Sequence, residues 1–131
     1  MIVDSSALVA IVRRENEAAG FSILIASHED AKMSSASYLE TSIVISGGRD
    51  NLTIIDVDEV VEMLALQIVP FDVGQARIAR EAYGKFGKGS GHKAQLNFGD
   101  CCAYALAIDT DRPLLFKGED FSRTDVKIAS A

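Results

Sequence analysis

Four short segments, too brief for helices, recur along the chain with longer helical segments between them. Met1-Ile2-Val3 and Leu114-Leu115-Phe116 read as buried strands, Ile68 to Phe71 as a strand, and Ala31 to Ser34 can form another short one. A strand that is apolar on both sides needs helices on both faces of its sheet, and parallel strands are joined through such helices. The alternation therefore predicts an α/β fold: a single-domain α/β/α sandwich with a mainly parallel central sheet, one domain across residues 1–131.

The helix signals fit that frame. Ser5 or Ser6 can cap a helix from Ala7 to about Arg14, apolar nearly all round and so buried or at an interface. Asn16 or Glu17 opens a second to about Ser27, and Ser35 or Ser37 a third that Gly47-Gly48 ends. Asp56 and Glu59 have capping-box spacing and predict a helix to about Gln67. Asp72 caps another to about Phe86, and Gly99-Asp100 opens one through Ile108. Val126 to Ile128 reads as a last edge strand.

Composition narrows the class. Hydrophobic residues at 48% and charged residues at 24% exclude a disordered chain. Mean hydropathy of +0.15 is high for a small protein, so some apolar surface is expected to meet a partner. No apolar run approaches the roughly 20 residues of a membrane span. An apolar run stands ahead of Arg13-Arg14, the reverse of a secretory signal, so a cytoplasmic protein without membrane attachment is expected. The two cysteines, Cys101 and Cys102, are neighbours that do not readily pair on a helix. With His28 and His92 they make a poor zinc set. They read as small core or interface residues.

Most of the 19 acidic residues look like solvated surface or caps, but four stand hard against apolar sequence. Asp4 follows Met-Ile-Val. Glu40 shares a helix face with Ala36, Ile43 and Val44. Asp100 follows Phe98-Gly99, and Asp120 follows the strand at 114–116 in Gly-Glu-Asp-Phe. Each has an ordinary alternative: an N-cap for Asp4, a capping box with Ser37 for Glu40, a first-turn acid for Asp100, a loop cap for Asp120. Parallel strands would bring Asp4, Asp100 and Asp120 to one end of the sheet, with Glu40 reaching it from its helix. No lysine or arginine adjoins any of them in sequence. Four carboxylates in one cleft repel, and a hard divalent cation such as Mg²⁺ relieves that. Net charge is −6, unpromising for a nucleic-acid binder taken alone; two Mg²⁺ would bring it to about −2 and attract phosphate.

The segments around these acids carry a resemblance. Met-Ile-Val-Asp-Ser-Ser-Ala-Leu at the start and Ser-Tyr-Leu-Glu-Thr around Glu40 resemble the PIN-domain family. Leu-Asn-Phe-Gly-Asp-Cys at 96–101 and Pro-Leu-Leu-Phe-Lys-Gly-Glu-Asp-Phe at 113–121 are similar to VapC toxins of type II toxin–antitoxin systems. The motifs stand in order, and the resemblance covers nearly the whole chain. The resemblance implies a Mg²⁺-dependent endoribonuclease, with Mn²⁺ as substitute, whose metal ligands and catalytic acids are Asp4, Glu40, Asp100 and Asp120. It implies that Ser6 bonds a metal-held water or a substrate phosphate, and that Asn97 is structural or supports the site. It also implies RNA as substrate, a homodimer, and a VapB-type antitoxin that wraps the toxin and blocks the cleft.

Metal-activated water would then attack the phosphodiester in line, leaving 5′-phosphate and 3′-hydroxyl ends. Neither His28, read as surface, nor His92, read as a solvated loop residue, suits a metal-free histidine-pair mechanism. Arg77, Arg80, Lys85, Lys88, His92 and Lys93 form the densest basic stretch, suited to phosphate contact or to plain solubility. A Mg²⁺-binding phosphotransfer protein of receiver or phosphatase-like kind is the rival, with Lys117 as the lysine it needs. A non-catalytic PIN module is a third reading, which the intact acids disfavour.

Overall fold

Strand β1 (Ile2–Val3) runs straight into helix α1 (Ser5–Val12), with one residue between them. Asp4 is that residue, so it and not Ser5 or Ser6 caps the helix: extended at φ −78°, it accepts from the Ser6 amide. The computed structural model describes residues 1–130. After α1 come α2 (Ala18–Ala26), β2 (Lys32–Ser34) and α3 (Ser35–Ser46), then α4 (Ile54–Met63) and β3 (Gln67–Val69). Helices α5 (Val73–Phe86) and α6 (Phe98–Thr110) precede β4 (Leu114–Leu115) and a 3₁₀ turn at Phe121–Arg123.

The sheet order is β3-β2-β1-β4, every pair parallel, with Ile2 facing Lys32 on one side and Leu114 on the other. Alternation along two-residue strands divides the core. Ile2 and Leu114 join Leu96, Leu106 and Phe121 on the α5–α6 side. Val3 and Leu115 join Leu8, Met33, Ile45 and Val57 on the side of α1 to α4. This is the expected α/β/α sandwich with a parallel sheet. The apolar first helix is consumed by that core: Ala7, Leu8, Ala10, Ile11 and Val12 are all buried.

Several boundaries move for local reasons. Thr53, not Asp56, caps α4, and the reciprocal partner in its capping box is Asp56 rather than Glu59. The helix stops at Met63, short of Gln67, because Ala65 turns left-handed at φ 50° and Leu66 N bonds back to Val61 O. Strand β3 ends before Pro70, which has no amide hydrogen to donate. Asn97 caps α6, which starts at Phe98, one residue before the predicted Gly99, and the helix runs to Thr110 until Asp111 adopts φ 52°. The expected strand at Val126–Ile128 reduces to a single bridge, Ile128 with Leu114, because β4 offers only two residues before the chain turns away.

Among the described residues no helix is long and apolar enough to cross a membrane. Large apolar side chains nonetheless stand in solvent on α2, α3, α4 and the N-terminus of α6, including Ile23 at 71%, Ile43 at 63%, Met63 at 71% and Phe98 at 80% exposure.

Leu8→Ala is expected to lower unfolding free energy by about 2–5 kcal/mol in urea denaturation, since Leu8 is wholly buried and its neighbours cannot fully collapse. Ile23→Ala should leave the midpoint nearly unchanged.

Candidate active site

The chain leaves β1 toward β2 on one side and comes back to β4 on the other. The order of strands thus reverses at β1, and in open parallel sheets ligands bind outside the carboxyl ends of the strands at such a point. Asp4 sits there, with its amide bonded to Leu115 O at 2.9 Å. Its Oδ2 accepts from Ser6 N at 3.0 Å and Ser6 Oγ at 2.6 Å. Its Oδ1 is buried and has no partner. Burial, reinforced by the charges of Asp100 and Glu40, pushes the Asp4 carboxyl up to about 7 against the opposing pull of the Ser6 hydrogen bonds.

The other acids arrive from separate elements. Glu40, half-buried on α3, accepts from Ser5 Oγ at 2.5 Å through Oε1. It forms no capping box with Ser37, whose hydroxyl is buried without a partner; Ser34 caps α3 instead. Asp100 lies in the first turn of α6, where its Oδ2 accepts from Asn97 N at 3.0 Å and its own amide donates to Asn97 Oδ1 at 2.8 Å. Burial pushes Asp100 up to about 6; the Asn97 bond and Lys88 pull it down, while Asp120 and Glu40 push it up. Asp120 is exposed at the head of the 3₁₀ turn, and its side chain makes no capping bond.

Asp4, Glu40 and Asp100 therefore feel one another's charge, and Asp120 acts on Asp100 from the rim. Among the described residues no three Asp, Glu, His or Cys side chains close to metal-binding distance as they stand. Ser5 and Asn97 hold Glu40 and Asp100 in that arrangement.

Three supports escaped the sequence reading. Ser5 holds Glu40 across 35 positions of sequence. Gly99 lies so close to Glu40 that a Cβ there would strike the carboxylate. Ser6 Oγ, besides donating to Asp4, accepts from Lys117 N at 2.9 Å, tying the ends of β1 and β4 together. Sequence proximity carries no signal for contacts of this range.

The remaining candidates are placed less centrally. Arg77, Arg80, Lys85, Lys88 and Lys93 are exposed on α5 and the loop after it. His92 is not free in solvent as expected: its ring packs edge-on against Phe86 at 4.9 Å, and Nδ1 accepts from Ala94 N. His28 is half-buried, its Nδ1 2.9 Å from Leu24 O at the end of α2. Cys101 and Cys102 are buried free thiols, pushed by burial up to about 11.

The PIN domain profile matches residues 1–127. The chain belongs to the PIN-domain family. Within that family, ribonuclease VapC28 of Mycobacterium tuberculosis is 49% identical over 129 residues, 98% of this chain and 97% of the relative. This PIN fold also superposes on VapBC2 of Rickettsia felis, solved with a fragment of promoter DNA, at a TM-score of 0.71 and 17% identity, covering 97% of this chain and 94% of that one. It superposes at the same TM-score on VapC20 of Mycobacterium tuberculosis, described as a toxin that cleaves the sarcin–ricin loop, with 15% identity and 95% of each chain covered. Identity near one half along both chains places this PIN domain among the VapC ribonucleases.

A carboxyl whose native pKa lies above its unfolded value holds its proton more tightly in the folded chain. Its contribution is then greatest below pH 4 and is lost as pH rises toward 7. In EDTA, Asp4→Asn should match wild type near pH 4 and exceed it increasingly toward pH 8, by up to about 4 kcal/mol for a rise from 3.8 to about 7. Melting curves at pH 5 and pH 8 read this directly, and a constant difference between the two proteins would remove Asp4 as the source.

Proposed function

We propose that the protein is a metal-dependent endoribonuclease, the toxin of a VapBC-type toxin–antitoxin system, and that it cuts RNA at the cluster of Asp4, Glu40, Asp100 and Asp120. The observation that carries this reading is Asp4: a buried carboxylate at the strand-order reversal, with one oxygen unpartnered and two further carboxylates acting on it. A buried anion with a free oxygen is costly unless a cation or a proton completes it.

The residues fit Mg²⁺, or Mn²⁺ in its place. The donor set is all oxygen, as hard divalent ions prefer, and Gly99, having no side chain, lets the Glu40 carboxylate come to rest where a Cβ would displace it. Asp4, Asp100, Glu40 and Asp120 would hold the ion, which would supply positive charge against phosphate and acidify water. The chain's own groups do the positioning. Ser6 orients Asp4, Ser5 orients Glu40, and Asn97 orients Asp100. With water as the nucleophile, the 2′-hydroxyl is not needed and the products carry 5′-phosphate and 3′-hydroxyl ends.

The partners follow from exposed apolar surface. A groove of about 790 Å³ runs between α2 and α4, walled by Val12, Ala18, Leu52, Val60 and Met63. It suits the apolar face of a VapB-type antitoxin helix. Leu39 and Ile43, 59% and 63% exposed one turn apart on α3, suit a second copy in a homodimer. The reading takes residues 1–131 as one PIN domain acting in the cytoplasm. The phosphotransfer rival loses its lysine: Lys117 Nζ is held by Glu15 and Glu17 at 3.2 Å each.

Asp4→Asn, Glu40→Gln and Asp100→Asn should each abolish Mn²⁺-dependent cleavage of single-stranded RNA while keeping a wild-type circular dichroism spectrum. Wild-type rates in any of them would take that residue out of the set. Ser5→Ala should cost about 10–100-fold in activity or metal affinity, the usual effect of removing a ligand's support. Mn²⁺ at a hundredfold excess over Kd should stabilise wild type by about 2.7 kcal/mol, and the mutants less. Gly99→Ala should fold normally, since only the end of the Glu40 side chain must move, yet lose cleavage.

A further inference from the structure

A cleft of about 550 Å³ opens between α5 and α6, beside the carboxylates but not part of them. Its base is Ala79, Cys101 and Cys102, all buried, and its walls include Phe71, Tyr83 and Phe98. Phe98 is 80% exposed and Tyr83 45%, so their rings face solvent with nothing among the described residues to cover them. Arg80 and Lys88 also line the cleft, and among the described residues neither is ion-paired. The cleft is continuous with the site: Asn97 lines it and holds Asp100, and Lys88 lies near enough to act on Asp100.

An apolar slot with two aromatic walls and two free cations has a definite complement. Nucleobases have flat apolar faces that stack on aromatic side chains, and their flanking phosphates take arginine and lysine. An apolar peptide side chain would use the walls and leave the cations idle. We propose that this cleft receives one unstacked nucleobase of the RNA substrate on Phe98 and Tyr83, with the adjoining phosphates held by Arg80 and Lys88, so that a neighbouring phosphodiester lies at the carboxylate cluster. This rests on the ribonuclease reading. It adds that cutting requires a base free to leave its stack, as in a loop or single strand.

The test is a cycle between protein and RNA. A random-sequence 20-nucleotide RNA pool is cut by wild type in Mn²⁺ and the cut positions are mapped by end sequencing. The best-cut RNA is then remade with a single abasic nucleotide at each position flanking the cut. Phe98→Ala and Tyr83→Ala should each raise KM about tenfold on the intact RNA, with little change in kcat. At one abasic position they should have no further effect, because the ring and the base are then removed from the same contact. Phe98→Trp and Tyr83→Phe should restore KM. Phe98 is so exposed that its loss should not disturb folding, which circular dichroism checks.

Additive effects at every abasic position, with wild type cutting normally, overturn this proposal and leave the nuclease reading intact. Unchanged RNA kinetics with a shift from dimer to monomer in light scattering would assign the cleft to a second copy and overturn it too. Unchanged kinetics with lost inhibition by a co-expressed antitoxin would assign it to that protein, with the same consequence. A wild type that cuts no RNA in Mn²⁺ overturns both readings.

Discussion

Asp4 must end a strand and start a helix at once, because a single residue separates β1 from α1. That requirement spends Oδ2 on the first turn of α1 and leaves Oδ1 buried without a partner. The strand is the one at which the sheet order reverses, flanked by β2 and β4, so the unsatisfied oxygen cannot be placed anywhere but the mouth of the sheet. A proton resolves the tension at low pH, and in the proposed function a cation would do so at neutral pH. A fold that stores such a charge at its centre would give up some stability and recover it on binding.

Asp4 and Glu40 are held from elements other than their own, and Asp100 from the cap of its own helix. Two consecutive serines in the first turn of α1 do most of this. Ser5 reaches α3 to hold Glu40, while Ser6 holds Asp4 and receives the Lys117 amide beyond β4. Asn97 fixes Asp100 by the reciprocal bonds of a capping box, which makes the helix start and the acid's orientation one event. The side chain of Lys117 then clamps Glu15 and Glu17 after α1, so the α1 to α2 connection and the β4 loop move together. Asp4 is thus presented at a strand end, Asp100 at a helix start and Glu40 within a helix, the stiff parts of the fold, while Asp120 comes from the loop after β4.

The fold was legible where a pattern is local. Doubly buried strands such as Met1-Ile2-Val3 and Leu114-Leu115 announce themselves as β-branched or apolar runs, and Asp72 marked the start of α5 correctly. Boundaries failed where several cap residues compete within a few positions, as at Asp4-Ser5-Ser6 and at Asn97 to Asp100. They also failed where a non-glycine residue takes a left-handed turn, as Ala65 does, since nothing in its side chain signals it. Asp4, Glu40 and Asp100 were readable as misplaced charges against apolar neighbours. The bonds that aim them were not, because Ser5 to Glu40 and Ser6 to Lys117 lie 35 and 111 positions apart and are fixed only when the helices pack. Gly99 carries the same lesson: its lack of a side chain matters solely because Glu40 comes to rest against it.

Net charge is the other property that the linear sequence conceals. At −6 the chain ought to repel a polyanion. Yet its cations are sorted. Arg13, Lys32, Arg112, Lys117 and Lys127 are tied to Asp50, Asp30, Glu15, Glu17 and Asp111. Of the other eight, Arg14, Arg49 and Arg123 lie elsewhere, but Arg77, Arg80, Lys85, Lys88 and Lys93, with no such partner among the described residues, are gathered on α5 and the loop after it, the side where Asp100 opens to solvent. Screening limits charge effects to about 8 Å at physiological salt. A phosphate approaching that side therefore meets the unpaired cations of α5 before it meets the surplus acids elsewhere. What an approaching polyanion feels is set by which charges are already neutralised at short range, and that is decided by the fold.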